Sequence, residues 1–227
     1  MNNPGNINIA YVMKGFQINY DTFDPNDYKF VGPSVLKPNV SGFMDQIDTT
    51  RPVIYISLGT VFNQNATFFN HCFKALADID ASFVVSIGYR NQLEDFDMIP
   101  SNFTVAQYVP QTELLQHTAL FLTHAGMNST NEAMFMDVPM LAFPQSADQP
   151  VVAQQIEKLN IGRQLNTEDI TPEQLKQTVL DMLAALPYYQ QNIKKDKSVQ
   201  SSDKTGYQLA VNHILNFRDQ HLTQSNI

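Results

Sequence analysis

The chain has 227 residues, 43% of them hydrophobic and 16% charged. At roughly 150 residues per domain this is one large domain, or one domain with an attached fragment, able to fold without disulfides or metal. Ample aliphatic and aromatic content excludes a disordered chain; no apolar run reaches the ~18–20 residues of a membrane span; and 14 Lys plus Arg against 22 Asp plus Glu, a formal charge of −8, argues against a polyanion groove.

Residues 7–12 (INIAYV) begin with strand-like alternation. A polar stretch, then YKFVGPS (28–34), and a linker punctuated by Pro25, Pro33, Pro38, Gly32 and Gly42 follow. The segment 1–50 is expected to be a lone strand and an interdomain linker. From Pro52 a rhythm sets in. VIYISL, SFVVSIG (82–88), FTVAQYV (103–109), ALFLTH (119–124), 139–143 and 162–165 are apolar runs, separated by helical patterns near 65–78, 112–116, 128–136 and 147–159. Short apolar runs alternating with helices predict βα units on a buried parallel sheet. Thr171-Pro172-Glu173 opens a further helix with an N-cap, a proline and an acid in the first turn. Tyr207, Ala210, Val211, Ile214 and Leu215 give the last helix one apolar face. The expected fold is α/β, a Rossmann-like doubly wound parallel sheet, occupying 51–227 together with the C-terminal helices.

The single Cys72 excludes an internal disulfide and a Cys-based zinc site, and falls at helical spacing with Phe69, Phe73 and Leu76, as a core thiol would. No signal pattern opens the chain, and the tail after Phe217 is polar. Four Asn-x-Ser/Thr triplets, at Asn39, Asn65, Asn102 and Asn128, are therefore taken as chance, and the expected location is the cytoplasm. No Asp-x-Asp pair or His cluster suggests a metal, and no cofactor is expected.

Doubly wound sheets bind ligands at the carboxyl ends of their strands. At the end of the fourth run stands His124-Ala125-Gly126-Met127-Asn128-Ser129. Gly126 permits a tight turn, and the helix that follows presents free N–H groups and a positive dipole end, which suit a phosphate. His124 can donate to a phosphate oxygen; a packed turn with a satisfied His is the alternative. Glu132 lies one turn into the helix, within reach of a ribose diol. Tyr108 offers a ring to stack on a base, Val109 backbone groups, and Gln111 a polar side chain. Asp148 and Gln149 stand side by side and fit adjacent sugar hydroxyls, although Asp148 alone fits a helix N-cap equally well.

The stretch YVPQTELLQHTALFLTHAGMNSTNEAMFMDVPMLAFPQSADQ (108–149) resembles the donor-binding signature of the UDP-dependent glycosyltransferases of the macrolide- and flavonoid-modifying type, in order and spacing from Pro-Gln through His-x-Gly-x-Asn-Ser-x-x-Glu to Asp-Gln. ISLGT (56–60) and YKFVGPSV (28–35) are also similar to that family, and the resemblance covers only its second half. It implies one lobe of a GT-B fold. It further implies that Tyr108, where the family has Trp, stacks on uracil; that the Val109 backbone meets the base edge; that Gln111 and Glu132 hold the ribose; that Thr60, His124, Gly126, Asn128 and Ser129 hold the diphosphate; and that Asp148 and Gln149 hold the sugar, Gln being associated with glucose-type donors. Met127 replaces the Trp of plant members. His117 matches a recurrent structural His, and His71, His213 and His221 match no motif.

By the same resemblance the acceptor site and the catalytic base, a His supported by an Asp, belong to the family's first half, so no catalytic residue is expected in this chain. The implied activity is transfer of a hexose, glucose first, from a UDP-sugar to the hydroxyl of a small lipophilic acceptor, with inversion. Two other readings are a non-catalytic UDP-sugar-binding subunit and a UDP-sugar 2-epimerase. The expected partners are UDP-glucose or a related UDP-sugar and an acceptor-binding domain or partner chain; an unpaired edge at 7–12 also points to a homodimer.

Overall fold

The computed structural model describes residues 7–35, 41–60, 64–167, 170–199 and 206–224, with side chains up to 220. Pro38 and Asn39 of the linker, and the side chain of His221, lie outside the described residues. The described residues fall into two compact units, one comprising those before 38 and from 195 onward, the other those between 38 and 194.

In the first unit β1 (Asn8–Ala10) and β2 (Tyr28–Phe30) pair in parallel, Asn8 opposite Tyr28 and Ala10 opposite Phe30. The strand expected to stand alone is thus paired. The aromatic residues of the intervening loop explain how so short a pair is held: Tyr20 and Phe23 meet Phe30 edge-on at 5.4 and 5.2 Å, and Phe23 meets Tyr28 at 5.1 Å.

The second unit carries a six-stranded, wholly parallel sheet. In chain order its elements are β3 (Val53–Ser57), α1 (Ala66–Leu76), β4 (Ser82–Ser86), β5 (Phe103–Ala106), the single-turn α2 (Gln111–Leu114), β6 (Thr118–Thr123), α3 (Met127–Phe135), β7 (Met140–Ala142), α4 (Gln149–Lys158), β8 (Gly162–Gln164) and α5 (Pro172–Ala184). The strand order is β5-β4-β3-β6-β7-β8. This is the doubly wound Rossmann-like order, with its switch between β3 and β6. The apolar runs become strands because both faces are covered, and every residue of β3 is buried.

Strand alternation then sorts the side chains. Ile54, Ile56, Phe83, Val85, Leu120, Leu122 and Leu141 share one face and form the main core with Phe69, Cys72, Phe73 and Leu76 of α1 and Leu175, Val179 and Met182 of α5. Tyr55, Ser57, Phe121 and Thr123 face the other way, toward the side on which α3 packs on β6 and α4 on β7 and β8. Cys72 is fully buried, and burial pushes its thiol far above the usual range, as the helical spacing predicted for a core thiol. α5 begins with the predicted cap: the Thr171 hydroxyl accepts from Gln174 N–H at 3.1 Å, with Pro172 at the first helical position.

Two further helices follow, α6 (Leu186–Ser198) and α7 (Gly206–Gln224). The sequence reading did not separate α6. Its one buried residue is Ile193, so it carries almost no apolar periodicity, and Pro187 looks like a break but sits in the first turn, where a missing N–H costs nothing. In α7 only Ala210 of the predicted apolar face is buried, while Tyr207, Val211, Ile214 and Leu215 are 38–51% exposed. Among the described residues no helix is long and apolar enough to cross a membrane.

These burials separate two aliphatic positions by energy. Ile56→Ala should lower unfolding stability by about 2–5 kcal/mol, the cost of a core cavity, whereas Val211→Ala should change it by no more than about 0.5 kcal/mol. Urea titration of both variants checks this; equal losses would mean that α7 is buried in the protein as it exists in solution.

Candidate functional site

β3 and β6 end side by side, with Ser57 opposite Thr123, and the chain leaves them toward opposite halves of the sheet. Beyond their carboxyl ends lies a cleft of about 1040 Å³. It is lined by Thr60, Tyr108, Val109, Gln111, His124, Gly126, Asn128, Ser129, Glu132 and Asp148, ten of the eleven positions singled out in the sequence. Gln149 does not line it. That side chain is buried, and its Oε1 accepts from the N–H groups of Gln145 and Ser146 at 2.9 and 3.2 Å, closing the loop after β7.

Gln111 is the hub of the polar set. Its Nε2 donates to Glu132 Oε2 at 2.6 Å and to Ser129 Oγ at 3.2 Å, while its Oε1 accepts from the Tyr55 hydroxyl at 3.2 Å. Tyr55 is stacked on Phe121 with centroids 4.6 Å apart. Burial raises its phenol to about 12, and the hydroxyl donates to Gln111. The carboxylate, an acceptor only, takes the Gln111 N–H groups, and this leaves Oε1 to accept from the Tyr55 hydroxyl. Gln111 and Glu132 therefore form one preassembled pair, braced from inside the sheet by Tyr55.

His124 occupies the switch point. Its ring lies against two backbones: a Cβ on Gly59 would come within 2.6 Å of Cε1, and a Cβ on Gly126 would meet Nε2. Both positions need glycine for this reason, Gly59 also because its φ is +77°. Nδ1 is buried and forms no hydrogen bond of ordinary geometry. Burial holds the imidazole below its ordinary range, partly opposed by the Ser57 carbonyl and the Asp148 carboxylate. The ring is thus neutral near pH 7.

Ala125 turns the chain in the left-handed region, at φ 62°. α3 starts two residues later, with Gly126 as its N-cap and no side chain capping it. The N–H groups of its first turn have no intrahelical partner and open on the cleft with the positive end of the helix dipole. α4 begins in a similar way after a left-handed Ala147, at φ 57°. Asp148 holds its N-cap position, but the carboxylate makes no capping bond and is exposed on the cleft.

Several lining residues had no individual reading, among them Tyr89, Arg90 and Ser41. Tyr89 and Arg90 follow β4, just past the strand end that topology marked. Ser41, in the linker, is bound by Glu113, whose carboxylate accepts from the Ser41 hydroxyl at 2.6 Å and faces its N–H. Neither segment has a spacing signal, and only the fold brings them to the cleft. His117 is exposed and away from it. Among the described residues no group of three or more His, Cys, Asp or Glu converges as metal ligands would.

Comparison with known proteins gives a consistent result. Residues 70–205 match the family described as Erythromycin biosynthesis protein CIII-like, C-terminal domain. The chain is 39% identical over 181 residues to a protein of Bacillus subtilis (strain 168) named "Uncharacterized UDP-glucosyltransferase YojK", covering 79% of this chain and 44% of that protein. It is likewise 39% identical over 178 residues to the NDP-glycosyltransferase YjiC of Bacillus licheniformis, covering 78% and 45%. The chain therefore spans less than half the length of these relatives. The crystal structure of the glycotransferase of kitacinnamycin superposes with a TM-score of 0.80 at 26% identity, over 90% of this chain and 53% of that one.

The wedge around His124 makes two measurable statements. Gly126→Ala should cost about 1–3 kcal/mol, as overpacking does, and should return the His124 pKa toward 6.5 because the ring must leave its slot. NMR titration showing the low value intact in a variant of unchanged stability would contradict the wedge. Since the folded pKa lies below the unfolded one, the unfolded chain takes up the proton first. Stability should accordingly fall as pH drops below about 6.5, until the folded pKa is passed, and recover above it; a pH series of urea midpoints lacking this fall in wild type, or retaining it in His124→Gln, would contradict the assignment.

Proposed function

We propose, on the premise that the chain belongs to the family of erythromycin biosynthesis protein CIII-like C-terminal domains and forms the C-terminal half of a GT-B glycosyltransferase, that the cleft is the donor site of an inverting enzyme, taking a UDP-hexose, glucose first, for transfer to the hydroxyl of a small lipophilic acceptor. The observation that carries this reading is the Gln111–Glu132 pair, held at 2.6 Å and braced by Tyr55, beside an exposed ring at Tyr108 and an uncapped helix N-terminus. Uracil stacks on Tyr108 and meets the Val109 backbone. Glu132 accepts from the ribose hydroxyls, and Gln111 holds that carboxylate in place.

The diphosphate lies at the start of α3. There the backbone N–H groups, Asn128, Ser129, Thr60 and His124 act together, and Gly126 lets the phosphate approach. Asp148 grips neighbouring hydroxyls of the sugar, and Gln149 shapes the loop behind it. In the reaction the acceptor oxygen attacks the anomeric carbon as the bond to the diphosphate oxygen breaks. The acceptor proton goes to a base on the half that this chain does not span. Charge developing on the departing diphosphate is met by the α3 N-terminus and His124, which is preorganised stabilisation of a leaving group. A neutral His124 donates from Nε2, and an anion beside it raises its pKa.

Calorimetry tests the ribose assignment. The wild-type chain should bind UDP, and Glu132→Ala should weaken it by roughly 1–3 kcal/mol, the usual cost of losing a charged hydrogen-bond partner; equal affinities would remove Glu132 from the site. The chain alone should not glycosylate phenolic or macrolide acceptors. Turnover by the purified 227-residue chain, abolished by mutating one of its own residues, would place the base here instead.

A further inference from the structure

The loop after β4 faces the cleft but has no part in the ribose, phosphate or sugar assignments. β4 and β5 stay paired beyond their last strand residues: Ile87 N–H donates to the Ala106 carbonyl and Gly88 N–H to the Gln107 carbonyl, both at 3.0 Å. Gly88 then turns the chain at φ +74°. Tyr89 and Arg90 form a two-residue tip, and the chain is fastened again immediately after it. Asn91 Nδ2 donates back to the Ile87 carbonyl at 2.6 Å, and Gln107 Nε2 donates to the Asn91 carbonyl at 3.4 Å and to Gln92 Oε1 at 3.2 Å. Asp95 closes the far side by accepting from Gln92 N–H at 2.8 Å. Pinned on both sides, the tip presents a ring that is 72% exposed, on the strand end adjacent to Tyr108, which is 65% exposed. Single exposed aromatics are ordinary, but two on neighbouring strand ends lining one cleft are placed for a flat ligand.

We infer that Tyr89 and Arg90 form the second wall of the nucleobase subsite, with Tyr89 covering the base opposite Tyr108 and Arg90 selecting a base whose edge presents carbonyl oxygens. This rests on the donor-site reading above. An arginine has donors only. It suits uracil, whose O4 accepts, and opposes cytosine, which carries an amine donor at that position. Stacking by Tyr89 is indifferent to that difference, because every pyrimidine has a π-face. The two residues therefore have separable effects: Tyr89 sets affinity for any pyrimidine nucleotide and Arg90 sets the preference between them.

The test is calorimetric titration of the full chain with UDP, CDP and inorganic pyrophosphate. Wild type should prefer UDP to CDP. Tyr89→Ala should weaken UDP and CDP alike, by about tenfold, with pyrophosphate unchanged and Tyr89→Phe restoring binding. Arg90→Gln should weaken UDP by about tenfold and leave CDP in place, so that the preference collapses. If both variants keep wild-type UDP affinity while Glu132→Ala loses it, the second wall is overturned and the donor site stands. If Tyr89→Ala also loses pyrophosphate, the loop supports the fold rather than the base, and the inference fails. If wild type binds no UDP, or Glu132→Ala binds it as wild type does, the donor-site reading falls and this inference with it.

Discussion

The imidazole of His124 lies in the fork where β3 and β6 part, and it fits there only because residues 59 and 126 carry no side chain. The surrounding loops are built to keep that slot. Ser57 and Thr123 end their strands in register, so the two glycine-bearing turns start level with each other. Ala125 and Ala147 both accept left-handed backbone conformations, at φ 62° and 57°, each at a cost of about 1–2 kcal/mol. Both strained turns precede helices that begin at the cleft. The burial of the aliphatic face of the sheet against α1 and α5 offsets such strain.

A second constraint runs from the core into the site through one side chain. Strand alternation turns Tyr55 away from the α1–α5 face and toward Gln111. Its hydroxyl donates to the Oε1 that the Gln111 amide presents once its N–H groups meet Glu132, and its ring is fixed by stacking on Phe121. The position of a half-buried carboxylate thus rests on a buried aromatic pair two contacts away. The linker is joined to the same region, since Glu113 on α2 binds Ser41 two residues from Gln111.

The architecture was legible in the sequence because fully buried parallel strands are continuous apolar runs, and the runs at 53–58, 82–88 and 119–124 have no competing periodicity. The site was legible where one short segment carries several groups at fixed spacing, as from His124 to Glu132. The remainder depends on tertiary placement. Gln149 sits beside Asp148 in sequence, yet its amide turns into the loop because two backbone N–H groups there need an acceptor. Tyr89, Arg90 and Ser41 reach the cleft through loops whose anchors are hydrogen bonds to distant residues, which no local pattern records. The pairing of β1 with β2 escaped for the same reason: two three-residue strands held by loop aromatics have no periodicity of their own.

The proposed donor site places an anionic nucleotide group on the uncapped start of α3 beside the wedged histidine. Amide hydrogen exchange of the chain with and without UDP measures this directly. New protection is expected at the backbone N–H groups of Met127, Asn128 and Ser129 and in the Gly59 turn, with the sheet interior unchanged. Protection confined to other surfaces, or none at saturating UDP, would contradict it.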